Sequence, residues 1–106
     1  MRELRTRAEV EAALAGSGVI YKHSTRCPVS FDAYDQVAQF ELTHPDVPVH
    51  VVDVVLHRDL SHHIARITGI THQSPQVLVM DEGAVRWHGS HYAISALALE
   101  QHVSGL

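Results

Sequence analysis

The sequence predicts one α/β domain over residues 1–106, in which helices flank a four-stranded mixed sheet. Short runs rich in β-branched residues alternate along the chain with longer stretches whose apolar residues recur at helical spacing. The last two apolar runs are separated by only the three residues 81–83, which favours an antiparallel hairpin after the parallel crossovers. The predicted element order is therefore αβαβαββα.

The first half of the chain contains two predicted helices and the strand between them. A short helix over 8–14 is followed by a strand over Val19–His23. A longer helix begins at Pro28, whose missing N–H needs no partner in a first turn, and it ends near Thr43. The aromatic residues are assigned to the core rather than to a ligand-stacking surface: Tyr21, Phe31, Tyr34, Phe40 and Trp87.

The second half contains the remaining strands and two more helices. Val49–Val55 is nearly all β-branched, as is typical of a strand covered on both faces. A helix over 59–68 follows, and its buried stripe is predicted to comprise Leu60, Ile64 and Ile67. Strands over 76–80 and 84–87 form the hairpin, and Ser90 is predicted to be the N-cap of the last helix.

Composition excludes several classes of partner. The net charge of −4 gives no general attraction to nucleic acid or to an anionic membrane. No stretch approaches the roughly 18 consecutive apolar residues of a membrane span, and the charged N-terminus leads into no apolar signal core. A single cysteine cannot form a disulfide within the chain, which fits a reducing compartment. We therefore expect a cytoplasmic protein with neither nucleic-acid nor membrane partners.

The only cysteine, Cys27, lies where the first predicted strand meets the long helix. The partial positive charge of a helix N-terminus stabilises a thiolate, which is the nucleophilic form of cysteine. The residue three positions later is Ser30, so Cys27 acts as a single thiol. The predicted element order resembles that of the thioredoxin fold, in which the loop after this strand carries the reactive cysteine.

Residues beside Cys27 are candidates for activating it. Arg26 is the strongest of the flanking cations, because it precedes the nucleophile on an exposed loop. Lys22 and His23 are weaker candidates, since charges near a loop are usually solvated. Pro28 and the N–H groups of the first helical turn also favour the thiolate. The Ser30 hydroxyl has two equally weighted roles, hydrogen bonding to the thiolate or capping of the helix.

A second element of the site precedes the third predicted strand. Ser74-Pro75 is either an ordinary loop dipeptide or, as the thioredoxin-like order favours, a cis-proline turn that faces Cys27. In the second case the Ser74 backbone is free to pair with the backbone of a substrate. His72 lies in the same loop. It is either a hydrogen-bond or proton donor to the substrate and leaving thiolate, or a loop histidine bonded to backbone.

Three segments resemble the signatures of the monothiol bacilliredoxin family. They are Lys-His-Ser-Thr-Arg-Cys-Pro-Val-Ser over 22–30, His-Gln-Ser-Pro-Gln-Val over 72–77 and Trp-His-Gly-Ser-His over 87–91. The resemblance extends from about Val10 to Leu99, nearly the whole domain. That family comprises small thioredoxin-like proteins of the bacillithiol redox system.

The resemblance implies an activity and its partners. Cys27 would attack the bacillithiol sulfur of a mixed disulfide on a bacillithiolated protein and release the target thiol. Bacillithiol is then a co-substrate, with no bound cofactor. Because Ser30 cannot resolve the resulting adduct, a second thiol must free Cys27, supplied by bacillithiol itself or by a thiol reductase.

Gly89-Ser90-His91 is the candidate for binding the carboxylates that bacillithiol carries. If Ser90 begins a helix, the N–H groups of its first turn form an anion site. The alternative is that Ser90 is only an N-cap. The corresponding turn of similar glutaredoxins holds a glutathione carboxylate through a Gly-Gly-x-Asp pattern, which is absent here. This difference argues against glutathione as the natural thiol.

The ten histidines are scattered without the spacing of a metal site. His62 and His63 are adjacent and diverge by about 100° around a helix. His88 and His91 are three residues apart but lack a clear third ligand. We therefore expect no metal.

Two rival functions belong to other classes. One is a small-thiol or iron–sulfur carrier of the monothiol glutaredoxin type, which would hold a 2Fe–2S cluster between two subunits, each supplying one protein cysteine and one small thiol, a stoichiometry that the single Cys27 permits. A redox-inert interaction module on the same scaffold is also open, because a fold does not fix a function.

Overall fold

The computed structural model describes all 106 residues, which form one sheet with helices on both faces. The strands are β1 (Arg2–Glu3), β2 (Gly18–His23), β3 (Val49–Asp53), β4 (Gln76–Asp81) and β5 (Ala84–Ser90). The helices are α1 (Arg7–Ala15), α2 (Pro28–Thr43), α3 (Arg58–Thr68) and α4 (Ala96–Val103), with a short 3-10 helix over His91–Ala93. None of the α-helices combines the length and the apolar character needed to cross a membrane.

The sheet has five strands in the order β1-β3-β2-β4-β5, so the prediction of four strands is wrong. Strands β1, β3 and β2 are parallel, whereas β4 is antiparallel to β2 and β5 is antiparallel to β4. The additional strand is the two-residue β1, whose Arg2 and Glu3 pair with β3 at the sheet edge. Both residues are charged and exposed, so no apolar alternation marks them as a strand.

Two buried clusters, one on each face of the sheet, hold the layers together. On one face Val37 and Phe40 of α2 and Leu99 of α4 pack with Val19 and Tyr21 of β2. On the other face the apolar residues of α1 and α3 pack with β2, β3 and β4: Val10, Leu14, Leu60, Ile64, Ile20, Val52, Leu78 and Met80. Alternate residues of β2 therefore face opposite layers, as strand geometry requires.

Strand β5 extends further than predicted, and this displaces the last helix. Ser90 pairs with Gln76 at the end of β5, so it is a strand residue and not the N-cap of a long helix. The cap is Ser95, whose Oγ accepts the Ala98 N–H at 3.0 Å. Both serines precede apolar residues at helical spacing, and only the pairing of β4 with β5 distinguishes them.

Several apolar side chains assigned to the core are outside it. Phe31 and Tyr34 of α2 are 54% and 42% exposed, and Ile67 of α3 is 50% exposed. Trp87 is half-buried and its ring stacks on His102, with centroids 4.3 Å apart. Tyr21 and Phe40 are buried, as predicted. The helical spacing thus identified amphipathic faces correctly but overestimated how wide the covered stripe is.

Gly89 is required where the Trp87 ring lies over β5. A Cβ at Gly89 would lie 2.6 Å from the indole Cη2, so alanine must displace the ring. We expect Gly89→Ala to lower the free energy of unfolding by about 1–3 kcal/mol. Urea unfolding of both Gly89→Ala and the control Gly16→Ala measures the effect. The control is suitable because the Cβ added at Gly16 meets no atom closer than 3.6 Å. Equal stability of the two variants would contradict this account.

Candidate functional site

Cys27 is the N-cap residue of α2 and is partly exposed. Its backbone is extended (φ −113°, ψ 117°), and its side chain makes no capping hydrogen bond. The Ser30 N–H donates to the Cys27 carbonyl at 3.0 Å, while the Val29 N–H makes no hydrogen bond within the chain. Pro28 has no N–H to offer. A free backbone donor and the positive end of a four-turn helix therefore lie beside the thiol.

Ser24 and Ser30 fix the loop that carries Cys27. The Ser24 N–H donates to the Ser30 Oγ at 3.2 Å, and both residues are buried. The Ser24 Oγ accepts the Arg26 N–H at 3.3 Å, and its carbonyl accepts the Cys27 N–H at 3.4 Å. Of the two predicted roles of Ser30, neither is observed, because its hydroxyl joins the loop to the first turn of α2. The Arg26 side chain is exposed at this turn.

An aromatic cluster formed by residues of β2 and α2 supports the same loop. The Tyr21 hydroxyl donates to the Ser30 carbonyl at 2.8 Å and lies 2.9 Å from the Nδ1 of His23. Burial raises the pKa of the Tyr21 phenol and lowers the pKa of His23. The centroid of the His23 ring lies 5.7 Å from that of Phe31 and 5.3 Å from that of Tyr34. Sequence analysis missed Tyr21 as a support, since a tyrosine in an apolar strand carries no signal beyond core packing.

The Ser74–Pro75 peptide bond is cis, as the thioredoxin-like interpretation predicts. In the antiparallel pairing of β2 and β4, Lys22 lies opposite Gln76. Continuing that register places Pro75 and Ser74 beside the residues that lead into the Cys27 loop. The N–H and C=O of Ser74 make no hydrogen bond within the chain. An unpaired backbone segment is thus available at the end of β2 from which the Cys27 loop starts.

The Gly89-Ser90-His91 segment does not begin the long last helix, contrary to the prediction, but leads into the short 3-10 helix over His91–Ala93, of which Ser90 is the N-cap without a side-chain hydrogen bond. Gly89 and Ser90 end β5, and His91 takes a left-handed conformation (φ 53°). The His91 N–H donates to the Pro75 carbonyl at 3.1 Å and so holds the proline loop. Beyond Ser90 an open polar pocket of about 360 Å³ is lined by Gly69, Ile70, Thr71, Gln73, Gln76, His88 and Ser90.

Lys22, the only lysine of the chain, is completely buried. Its Nζ lies 3.2 Å from the Nδ1 of His72, and no carboxylate forms an ion pair with it. Burial lowers the pKa of Lys22 to about 8. The pKa of His72 is also lowered, first by burial and then by the positive charges of Lys22, His62 and Arg58. His72 therefore contacts a buried cation, a partner that its loop position did not indicate.

A cavity of about 580 Å³ lies on the β1–β3 side of the Cys27 loop. His23 and Tyr34 connect it with the aromatic cluster, and its other lining residues are Met1, Glu3, Leu4, Arg5, Val51, Asp53, Leu56 and His57. No group of three or more His, Cys, Asp or Glu side chains converges as metal ligands do. The chemistry that the site carries is that of one exposed thiol at a helix N-terminus beside a cis-proline.

The chain matches the family described as monothiol bacilliredoxin BrxC over residues 2–99. The chain belongs to the monothiol bacilliredoxin family. A solved structure described provisionally as an oxidoreductase with a thioredoxin fold is 31% identical, with a TM-score of 0.88, and covers 95% of this chain and 91% of its own. A thioredoxin-like fold and a thiol-redox function are therefore properties of this bacilliredoxin.

More distant structures share the fold alone. Thioredoxin from Fasciola hepatica is 19% identical with a TM-score of 0.74, covering 98% of this chain and 97% of its own. Oxidised mitochondrial thioredoxin 3 from Saccharomyces cerevisiae is 20% identical with a TM-score of 0.75. The match covers 100% of this chain and 95% of that thioredoxin. The bacilliredoxin thus keeps the complete thioredoxin-like architecture.

Removing the Ser30 hydroxyl leaves the buried Ser24 N–H without a partner. We expect Ser30→Ala to lower the free energy of unfolding by about 1–3 kcal/mol, the cost of an unsatisfied buried donor. The matched control is Ser104→Ala, because the exposed Ser104 side chain makes no hydrogen bond. Urea unfolding of both variants tests this, and a Ser30→Ala variant as stable as the control would refute the role of the hydroxyl.

The buried Lys22 makes stability depend on pH in the alkaline range. Between its folded pKa of about 8 and its ordinary value of 10.5, the unfolded chain holds a proton that the folded protein has released. The stability of the wild type relative to Lys22→Met should therefore rise with pH across that interval, by up to about 3 kcal/mol. Urea unfolding of both proteins at each end of the interval measures the difference.

A direct measurement is available because the chain has one lysine. Labelling with ¹³C-lysine gives a single side-chain resonance, whose titration reports the pKa of Lys22 in the folded protein. A titration at the ordinary lysine value, together with a pH-independent stability difference, would show that Lys22 is solvated.

Proposed function

We propose that this bacilliredoxin acts in the cytoplasm as a monothiol oxidoreductase that removes bacillithiol from protein mixed disulfides through Cys27. The observation that carries the proposal is the placement of the only thiol at the N-cap of α2, in the loop that leaves β2 at the end where the cis-Pro75 turn enters β4. Membership of the monothiol bacilliredoxin family supports bacillithiol as the small thiol. The positive end of α2 favours the thiolate, which is the attacking species.

The reaction is an exchange of one disulfide for another. The Cys27 thiolate attacks the bacillithiol sulfur of the mixed disulfide, forming a Cys27–bacillithiol disulfide as the original S–S bond breaks. The electron pair of that bond leaves on the sulfur of the target cysteine, which takes a proton from solvent. No net oxidation occurs, because one disulfide and one thiol are present before and after the step.

Backbone pairing with Ser74 would hold the target protein during this attack. Its free N–H and C=O offer two hydrogen bonds to an extended segment around the target cysteine. Because His91 is bonded to Pro75, the turn after β5 keeps this segment in place. The proline loop therefore orients the sulfur of the target cysteine as the leaving group. The positive end of α2 activates the attacking Cys27 thiol.

A second thiol must complete the cycle. Residue 30 is a serine and the chain contains no other cysteine, so the Cys27–bacillithiol disulfide has no resolving thiol within the protein. Free bacillithiol would attack the adduct and leave as bacillithiol disulfide, which frees Cys27. Alternatively, a partner thiol reductase would reduce the adduct directly. In either case Cys27 returns as a thiolate.

Intact mass spectrometry after incubation with oxidised bacillithiol, and separately with oxidised glutathione, tests the proposal. We expect a rapid bacillithiol adduct and little glutathione adduct on the wild type, and no adduct on Cys27→Ala. Incubation with a bacillithiolated peptide should transfer the adduct to Cys27 and release the peptide thiol. Slow and equal labelling by both disulfides would contradict the proposal and favour a redox-inert scaffold.

Anaerobic purification separates the carrier alternative from the exchange reaction. An iron–sulfur carrier would be a brown dimer with visible absorption that is lost in Cys27→Ala. A colourless protein that forms the bacillithiol adduct would support the oxidoreductase.

A further inference from the structure

Four basic side chains, two of them histidines, lie together at the end of the sheet where the Cys27 loop begins. Lys22 is one residue before the end of β2, and Arg58 lies four residues before His62 on α3, so the two side chains share one face of the helix. The His72 Nδ1 lies 3.2 Å from the Lys22 Nζ, and the rings of His62 and His72 are 5.5 Å apart. This group is called the Lys22 cluster below and comprises Lys22, Arg58, His62 and His72.

The Lys22 cluster has no counter-ion. None of its four members forms an ion pair with a carboxylate, although acidic residues outnumber lysine and arginine twelve to eight in the chain. Lys22 is completely buried, and the only hydrogen-bond partner of its side-chain ammonium is His72. A buried ammonium without a compensating carboxylate is costly, and an anion bound beside it would offset that cost.

The contact with Lys22 also sets which nitrogen of His72 carries the proton. An ammonium has only protons to donate, so the Lys22 Nζ donates to Nδ1 and the ring proton is on Nε2. Burial, and after it the neighbouring positive charges, lowers the pKa of His72 and so favours the neutral ring. The half-exposed His72 thus presents an Nε2–H donor, while the exposed Arg58 and His62 supply further donors around it.

We propose that the Lys22 cluster binds the malyl carboxylates of bacillithiol, an inference that rests on the proposed function and specifies its substrate recognition. Arg58, His62 and His72 would donate hydrogen bonds to the carboxylates, and the buried Lys22 would hold His72 and add its charge. This location is an alternative to the Gly89-Ser90-His91 turn, which precedes only a three-residue 3-10 helix. Acidic residues of a target protein offer the same chemistry, so the test uses targets without them.

The test compares two mixed disulfides of one uncharged peptide. In one the peptide cysteine carries bacillithiol, and in the other it carries bacillithiol with both malyl carboxylates methylated. We expect the wild type to release the peptide from the diacid about tenfold faster under subsaturating conditions, a ratio typical of one or two hydrogen bonds to a charged group. Arg58→Gln and His72→Gln should bring the ratio close to one.

Arg66→Gln is the matched control, because it makes the same charge change on α3, eight residues and about 12 Å along the helix. We expect it to keep the wild-type ratio. Lys22→Met should reduce the ratio as well. Since Arg58 is exposed, its variant tests the cluster even if Lys22→Met does not fold.

A direct binding measurement separates this inference from the proposed function. Calorimetry with S-methyl bacillithiol and the Cys27→Ser protein requires no disulfide exchange. Binding that Arg58→Gln weakens about tenfold, and Arg66→Gln does not, would support the carboxylate site even if neither peptide were released. Release of both peptides at equal rates, or binding that does not change in Arg58→Gln, would overturn the site and leave the oxidoreductase activity standing.

Discussion

The antiparallel pairing of β2 with β4 is the constraint on which the site depends. With Lys22 opposite Gln76, the chain leaves β2 toward Cys27 where it enters β4 from the cis-proline. A slip of one residue would exchange the two faces of β2, placing Lys22 among apolar residues of α2 and α4. The hydrophobic alternation of the strand therefore fixes the core and also brings the Cys27 loop and the cis-proline loop to the same end of the sheet.

The two faces of β2 contribute differently to the site. On the α2 side, Tyr21 reaches the Ser30 carbonyl and supports the first turn of the helix that Cys27 caps. On the α3 side, Lys22 carries a buried charge to His72. Tyr21 thus supports the loop that carries the thiol, and the next residue, Lys22, places a positive charge on the opposite face of the sheet. Their separation by the sheet keeps the buried ammonium and the aromatic cluster in different layers.

Burying Lys22 is a local cost that the rest of the domain must offset. The apolar clusters on both faces of the sheet supply the main stabilisation, and the ammonium is placed at the polar end of one of them. Stability sacrificed at one end of a sheet is typical of a binding site and not of a core. The monothiol bacilliredoxin therefore keeps the thioredoxin-like framework and places an unusual charge beside its reactive end.

Sequence reasoning succeeded where local chemistry alone decides a structure. Pro28 began the long helix where its missing N–H has no cost, and the glycine-containing hairpin joined the last two strands. It failed at Ser90 and at β1, because both depend on partners far along the chain. Ser90 has the composition of a cap but pairs with Gln76, and the charged β1 is a strand only because β3 lies beside it.

The sequence by itself determined the types of the four α-helices and of the four longer strands, the single thiol at a helix start and the proline that precedes β4. These follow from apolar periodicity, backbone restrictions and residue identity, all of which act over a few residues. Only the tertiary structure decided that Ser24 and Ser30 bind each other, that Lys22 is buried against His72 and that Phe31 is exposed. Such contacts join residues from separate elements, so they are set by strand register and helix packing.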